Sequence, residues 1–188
     1  MMTHRFLKLA ALLAGLGLSC LSLAGPASAQ QPATPAPTAS ASAAARPGLT
    51  TATYQDWVVR CVAGDNGRIC EVVQNIQAQG QGLIASVAVG RADAKAPLRL
   101  VVQLPAGVWL PAGVKVQVSE KAKPLQLAFT RCPQGCFAEA ELDAATVQAL
   151  RAATEGGSFS FEDGARRPVM LPLSFKGFAS ALDASLKP

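Results

Sequence analysis

A chain of 188 residues with 17 Lys plus Arg, 12 Asp plus Glu and one His, half of it hydrophobic and 15% charged, has the composition of a single foldable domain with an extension, which excludes disorder throughout. The one histidine, His4, falls in a segment read below as cleaved, so the mature chain would carry no imidazole. Ser-His-Asp and Cys-His catalysis, H-E-x-x-H zinc chemistry and histidine pH switching are excluded together.

Residues 1–29 open with the basic group His4, Arg5 and Lys8, continue as the apolar run 9–18 and reach Ala27-Ser28-Ala29. This is the layout of a secretory signal peptide cut between Ala29 and Gln30. Gly15, Gly17, Ser19 and Ser22 interrupt the run, which falls short of the ~20 apolar residues of a spanning helix, so no integral membrane segment is expected after cleavage. Cys20 leaves a lipid-anchored N-terminus open, although Gly17 stands where a lipoprotein motif has Leu. In residues 30–50, 16 of 21 residues are Ala, Pro, Ser or Thr, with Arg46 the only charge. Such a stretch buries too little side chain to offset chain entropy and reads as a disordered tether. The domain proper is assigned to residues 51–188. All 12 acidic residues lie in it with 14 of the 17 basic ones, so its net charge is 14 − 12 = +2.

Within the domain the hydrophobic pattern has period two. Leu98, Leu100, Val102 and Leu104 alternate with Arg99, Val101 and Gln103, and similar alternation marks 114–119 and 125–130. Further strands are expected at 56–61, 68–77, 83–91, 135–142, 158–162 and 168–173, separated by Gly- and Pro-containing turns. The expected fold is mainly β: an antiparallel sandwich of about eight or nine short strands. Two short helices accompany it. Asp143 is a suitable cap for 144–153, and Ser174 for a C-terminal helix at 175–186. In the second, Phe175, Phe178, Leu182 and Leu186 form one apolar stripe suited to packing on the sheet.

Once Cys20 is removed, Cys61, Cys70, Cys132 and Cys136 remain, an even number that in an exported chain implies disulfides with three possible connectivities. Local geometry favours Cys61 with Cys70, because a four-residue hairpin loop at 64–67 sets Ala63 opposite Arg68 and Cys61 opposite Cys70. Cys132-Pro133-Gln134-Gly135-Cys136 is a tight turn that favours the other pair. A symmetric register there sets Phe129 opposite Glu139, so a bulge or an asymmetric turn is expected. A redox role for Cys132 and Cys136 is the competing reading, weakened by three intervening residues where the oxidoreductase motif has two. A zinc site built from all four sulfurs is disfavoured because only one pair has zinc-finger spacing.

Other chemistry is sparse. Glu139 and Glu141 share one side of a strand, where two-residue spacing on a solvated face is ordinary. Lys121, Lys123, Arg166 and Arg167 lack interleaved aromatics, so nucleic acid is not expected as a partner. No cofactor, metal or catalytic motif is present. Trp57, alternating with Val59 and Cys61, is expected in the core. Trp109, in a loop flanked by Pro and Gly, is the candidate exposed contact residue.

The order of Tyr54-Gln55-Asp56-Trp57-Val58-Val59-Arg60-Cys61, Cys70, the Pro/Gly-rich segment 101–114, Cys132 to Ala138 and Leu171-Pro172-Leu173-Ser174-Phe175-Lys176-Gly177-Phe178 resembles the invasion-associated locus B family across essentially the whole domain. Ala106 and Phe175 replace Leu of the family pattern, and both remain apolar. The resemblance implies an exported bacterial envelope protein with a mainly β fold and no known catalytic residues. The family is named for a member linked to host-cell invasion. The resulting expectation is a non-enzymatic binding or structural protein, periplasmic or outer-membrane-associated, that contacts another envelope or host protein. A thiol-disulfide enzyme using Cys132 and Cys136 is the alternative.

Overall fold

The computed structural model describes residues 48–187, apart from 65, 66, 79 and 81. The segment read as a signal peptide, the cleavage site expected between Ala29 and Gln30, Cys20 and the expected tether up to residue 47 lie outside the described residues. All nine expected strands are present: β2 (Trp57–Gly64), β3 (Gly67–Ala78), β4 (Gly82–Gly90), β5 (Arg99–Leu104), β6 (Val114–Gln117), β7 (Leu125–Arg131), β8 (Cys136–Glu141), β9 (Gly157–Glu162) and β10 (Pro168–Leu173). A tenth strand, β1 (Leu49–Tyr54), precedes them and begins two residues inside the stretch read as tether. Its sequence, Leu-Thr-Thr-Ala-Thr-Tyr, is almost fully exposed and has no alternation to betray it.

The strands form one antiparallel sheet in the order β1-β2-β3-β4-β5-β8-β7-β6-β9-β10. Strand β7 joins its two halves. Leu125 to Leu127 pair with β6, whereas Ala128, Phe129 and Arg131 pair with β8. Between Phe129 and Arg131 the register shifts, so Phe129 faces Ala138 and Glu139 is opposite Ala128. This is the bulge required by the turn of the second cysteine pair, with Thr130 as the extra residue. The inner faces of both halves share one core, in which Val72, Val87, Val102 and Ala138 meet Val114, Val116 and Phe159. The result is sandwich-like, with a single sheet folded over its own core.

Helix α1 (Ala144–Ala152) starts where expected, and the Asp143 carboxylate accepts from the Thr146 backbone N–H at 2.7 Å. Helix α2 (Phe178–Leu186) begins a turn later than the sequence suggested, after Gly177 at φ 83°. Ser174 does not cap it. Its backbone is held by other partners, described below, and only its hydroxyl turns toward the approaching chain, accepting from Lys176 N–H at 3.2 Å. The apolar stripe behaves as expected, with Phe175, Phe178 and Leu182 almost fully buried.

Candidate functional site

Two disulfides are present among the described residues. Cys61 and Cys70 face each other across β2 and β3 in the expected register, with Cα atoms 4.0 Å apart. Gly64 pairs directly with Gly67, so the connection is shorter than the four-residue loop expected. Cys132 and Cys136 are joined across their turn, with the same 4.0 Å spacing. Cys136 is buried and Cys132 exposed. Both sulfur pairs link local segments, which is a staple in the hairpin and in the turn.

The family-like motifs at the two ends of the domain are one physical unit. Trp57 is 1% exposed, and its indole N–H donates to the Ser174 carbonyl at 2.9 Å. Gln74, not singled out from the sequence, donates to the same carbonyl at 2.9 Å and accepts from Ser174 N–H at 3.0 Å. The Ser174 hydroxyl donates to Asp56, and the Trp57 and Phe178 rings meet edge to face with centroids 4.9 Å apart. These residues are buried or committed to one another, and the clasp they form is structural.

The opposite, outward face of the first half-sheet carries a different arrangement. Strand register places its side chains in cross-strand rows. One row runs Leu49, Val62, Ile69; the next Thr51, Arg60, Glu71, Gly90, Arg99, Glu141; the next Thr53, Val58, Val73, Ala88, Val101, Glu139. The middle row is charged and its neighbours are largely apolar. Gly90 interrupts it, and a Cβ there would lie 2.9 Å from the Glu71 Cβ. Without that side chain a trough of about 450 Å³ opens among Leu49, Val62, Ile69, Ala88 and Val101, rimmed by Arg60, Arg91 and Arg99. Val62 and Ile69, cross-strand neighbours, stay 48% and 38% exposed and present contiguous apolar surface to solvent.

The rim charges are largely paired. Arg60 meets Glu71 at 2.8 Å, and Arg99 bridges Glu139 at 3.0 Å and Glu141 at 2.8 Å. Glu139 also accepts from Thr130 Oγ1 at 3.0 Å and pairs with Arg131. Burial, the largest single influence, pushes its carboxyl upward, but hydrogen bonds from Thr130, Arg131 and Arg99 outweigh it and hold the group below the usual carboxylate range. Glu139 and Glu141, on one side of the strand, are thus both engaged by the Arg99 guanidinium. Arg91 forms no ion pair among the described residues.

Trp109 lies elsewhere, immediately before a single 3-10 turn at Leu110–Ala112. It is half-buried, its backbone N–H donates to the Glu162 carbonyl at 2.8 Å, and the Arg166 guanidinium stacks 4.2 Å from the ring centroid. It does not line the trough. Arg166 and Arg167 diverge, since Arg167 turns to Asp163 at 2.7 Å. The four basic residues noted in the sequence therefore include two already engaged. Among the described residues no cluster of His, Cys, Asp and Glu suits a metal, and no helix is long and apolar enough to cross a membrane.

The family model described as Invasion associated locus B protein matches residues 57–186. Invasion protein B homologues from two Brucella abortus strains are each 33% identical over 148 residues, covering 77% of this chain and 85% of theirs. The crystal structure of invasion associated protein b from Bartonella henselae is similar in fold, with a TM-score of 0.64 at 21% identity, covering 73% of this chain and 95% of that one. The matched span contains the Trp57–Ser174 clasp, both disulfides and most of the trough. With about two-thirds of its length under the family model and relatives 33% identical over 77% of it, the chain belongs to the invasion associated locus B family.

Proposed function

We propose that this protein is an exported, non-enzymatic binding protein of the bacterial cell envelope, and that its trough takes a segment of another envelope or host protein. The observation that carries the reading is the exposure of Val62 and Ile69 beside an apolar floor opened by Gly90. Apolar surface left unfilled on a disulfide-stapled ladder is costly for a monomer and typical of recognition. The names of the Brucella and Bartonella relatives associate them with invasion, which makes a host protein one of the candidate partners. Export rests on the signal peptide ending at Ala29 and on the two disulfides.

A photo-crosslinking residue at Val62, compared with one at Met170, tests the reading on intact envelopes. Met170 is 72% exposed but lies on β10, outside the trough. A discrete adduct formed from Val62 alone supports it. Equal adducts from both positions, or none from Val62, overturn it.

The exposure of Cys132 favours one second reading, thiol-disulfide exchange, because an attacking thiolate must reach a sulfur. Insulin reduction that disappears in Cys132→Ser would establish it.

A further inference from the structure

Among the described residues the sheet has two free edges, β1 and β10. Strand β10 carries Pro168 and Pro172, which lack N–H donors and block pairing, whereas β1 has six residues with neither proline nor charge. Thr50, Thr51, Ala52 and Thr53 are all exposed. The Gly48 carbonyl accepts from Ala63 N–H at 3.0 Å, so Gly48 is turned toward β2. Antiparallel ladders alternate, and Thr50, Ala52 and Tyr54 therefore share that direction while Leu49, Thr51 and Thr53 aim their N–H and C=O groups away from the sheet.

We propose that this edge pairs with the same edge of a second copy of the chain, antiparallel about a two-fold axis through Thr51. Such an axis stands perpendicular to the sheet and keeps the outward faces of both copies on one side. Paired residues must then share a face, which restricts the register to steps of two. With Thr51 opposite Thr51 of the second copy, Leu49 opposes its Thr53, and Thr53 its Leu49. All three outward-directed positions then form doubly hydrogen-bonded pairs.

The side-chain rows select the same register. The apolar row Ile69, Val62, Leu49 runs on into Thr53, Val58 and Val73 of the second copy. The charged row Glu71, Arg60, Thr51 continues into its own symmetry mate, with two threonines separating the arginines. A shift of two residues either way sets the charged row against an apolar one, and in one direction brings Gln55 into the ladder. Gln55 sits at φ 54° in the turn and cannot extend it. The two troughs open on the same side and remain accessible.

Six residues at ~3.4 Å each make an edge of roughly 20 Å, which buries less than the ~1,200 Å² of a standard stable interface. The dimer is therefore reversible and concentration-dependent. Sedimentation equilibrium of the purified chain, from micromolar to about 1 mM, reads it directly. The expected mass rises from one chain to two and stops there, because a two-fold contact closes on itself. Thr51→Lys sets like charges across the axis without altering the backbone and should abolish the rise at low salt, with recovery in high salt. Thr51→Pro removes an outward N–H, leaves the β2 ladder intact and should hold the chain monomeric at every concentration. A wild-type monomer at the highest concentration, growth beyond two chains, or a Thr51→Lys variant that dimerises like the wild type at low salt overturns the proposal. Each of these outcomes leaves the trough reading standing, since the Val62 crosslink can be read on a monomer.

Discussion

Gly177 and Tyr54 lie back to back: a side chain of any size at Gly177 would collide with the Tyr54 carbonyl. Gly177 also holds φ at 83°, where residues with a Cβ are strained. Two independent constraints thus fall on one glycine, one from its own backbone and one from the turn that presents Trp57. Gly177→Ala should cost more than about 2 kcal/mol, the sum of left-handed strain and a displaced turn. Urea unfolding followed by tryptophan fluorescence measures it, and a midpoint within error of wild type would contradict the packing described.

Gln74 makes its pair of hydrogen bonds with Ser174 while only 8% exposed. Replacing it with Leu roughly keeps the volume and leaves the part-buried Ser174 N–H without its acceptor. The expected loss is about 1–3 kcal/mol. Gln74→Glu separates shape from hydrogen bonding, because its carboxylate still accepts from Ser174 N–H but sets a negative charge against the Ser174 carbonyl. It should be at least as damaging near neutral pH and milder in acid.

The two disulfides close loops of different length. In the chain-entropy description, Cys61–Cys70 with ten residues contributes roughly 2.7 kcal/mol and Cys132–Cys136 with five about 2 kcal/mol. Cys61→Ser/Cys70→Ser should therefore lower stability somewhat more than Cys132→Ser/Cys136→Ser, with each double variant still folded. Equilibrium denaturation of both gives the order. A reversed order would place strain or denatured-state structure above loop entropy.

Glu139 links stability to pH. An ordinary glutamate titrates near 4.5, and this one is held lower in the fold. Between the two values the unfolded chain binds more protons than the folded one, so stability rises with pH there. The contribution is complete above the ordinary value and is lost as the pH falls through the folded one. Glu139→Gln should flatten the acid limb of a melting-temperature profile while changing little at neutral pH beyond a modest fixed loss. An unchanged acid limb would mean that the Arg99 and Arg131 contacts do not favour the carboxylate.

Much of the fold was legible because period-two alternation survives wherever one face is wet. Strand β5 is the clean case, with Leu100, Val102 and Leu104 buried and Arg99, Val101 and Gln103 turned outward. The trough was not legible for the converse reason. Val58-Val59, Val72-Val73 and Val101-Val102 are apolar on both faces, so nothing in the pattern separates a core residue from a trough residue. Only the register, which aligns Val62 with Ile69 and Ala88 with Val101, gathers them into a surface. Strand β1 escaped for a third reason: four consecutive exposed Thr and Ala residues carry no alternation, so the boundary between tether and domain fell at Thr50, inside the strand. Ser174 was misread as a helix cap because its type suits that role, while its actual partners lie about a hundred residues upstream.

The clasp also sets a timetable. In N-to-C order Trp57 and Gln74 emerge long before Ser174 and Gly177, and 117 residues separate the indole N–H from the carbonyl it must reach. The first five strands are sequential neighbours, and Cys61 needs only nine more residues before Cys70 arrives, so hairpins and the first sulfur bond have everything they require early. The tryptophan does not. Until the last residues emerge, it stands over an unfinished core, and a chain cut short before α2 would present that half-built face to chaperones and proteases.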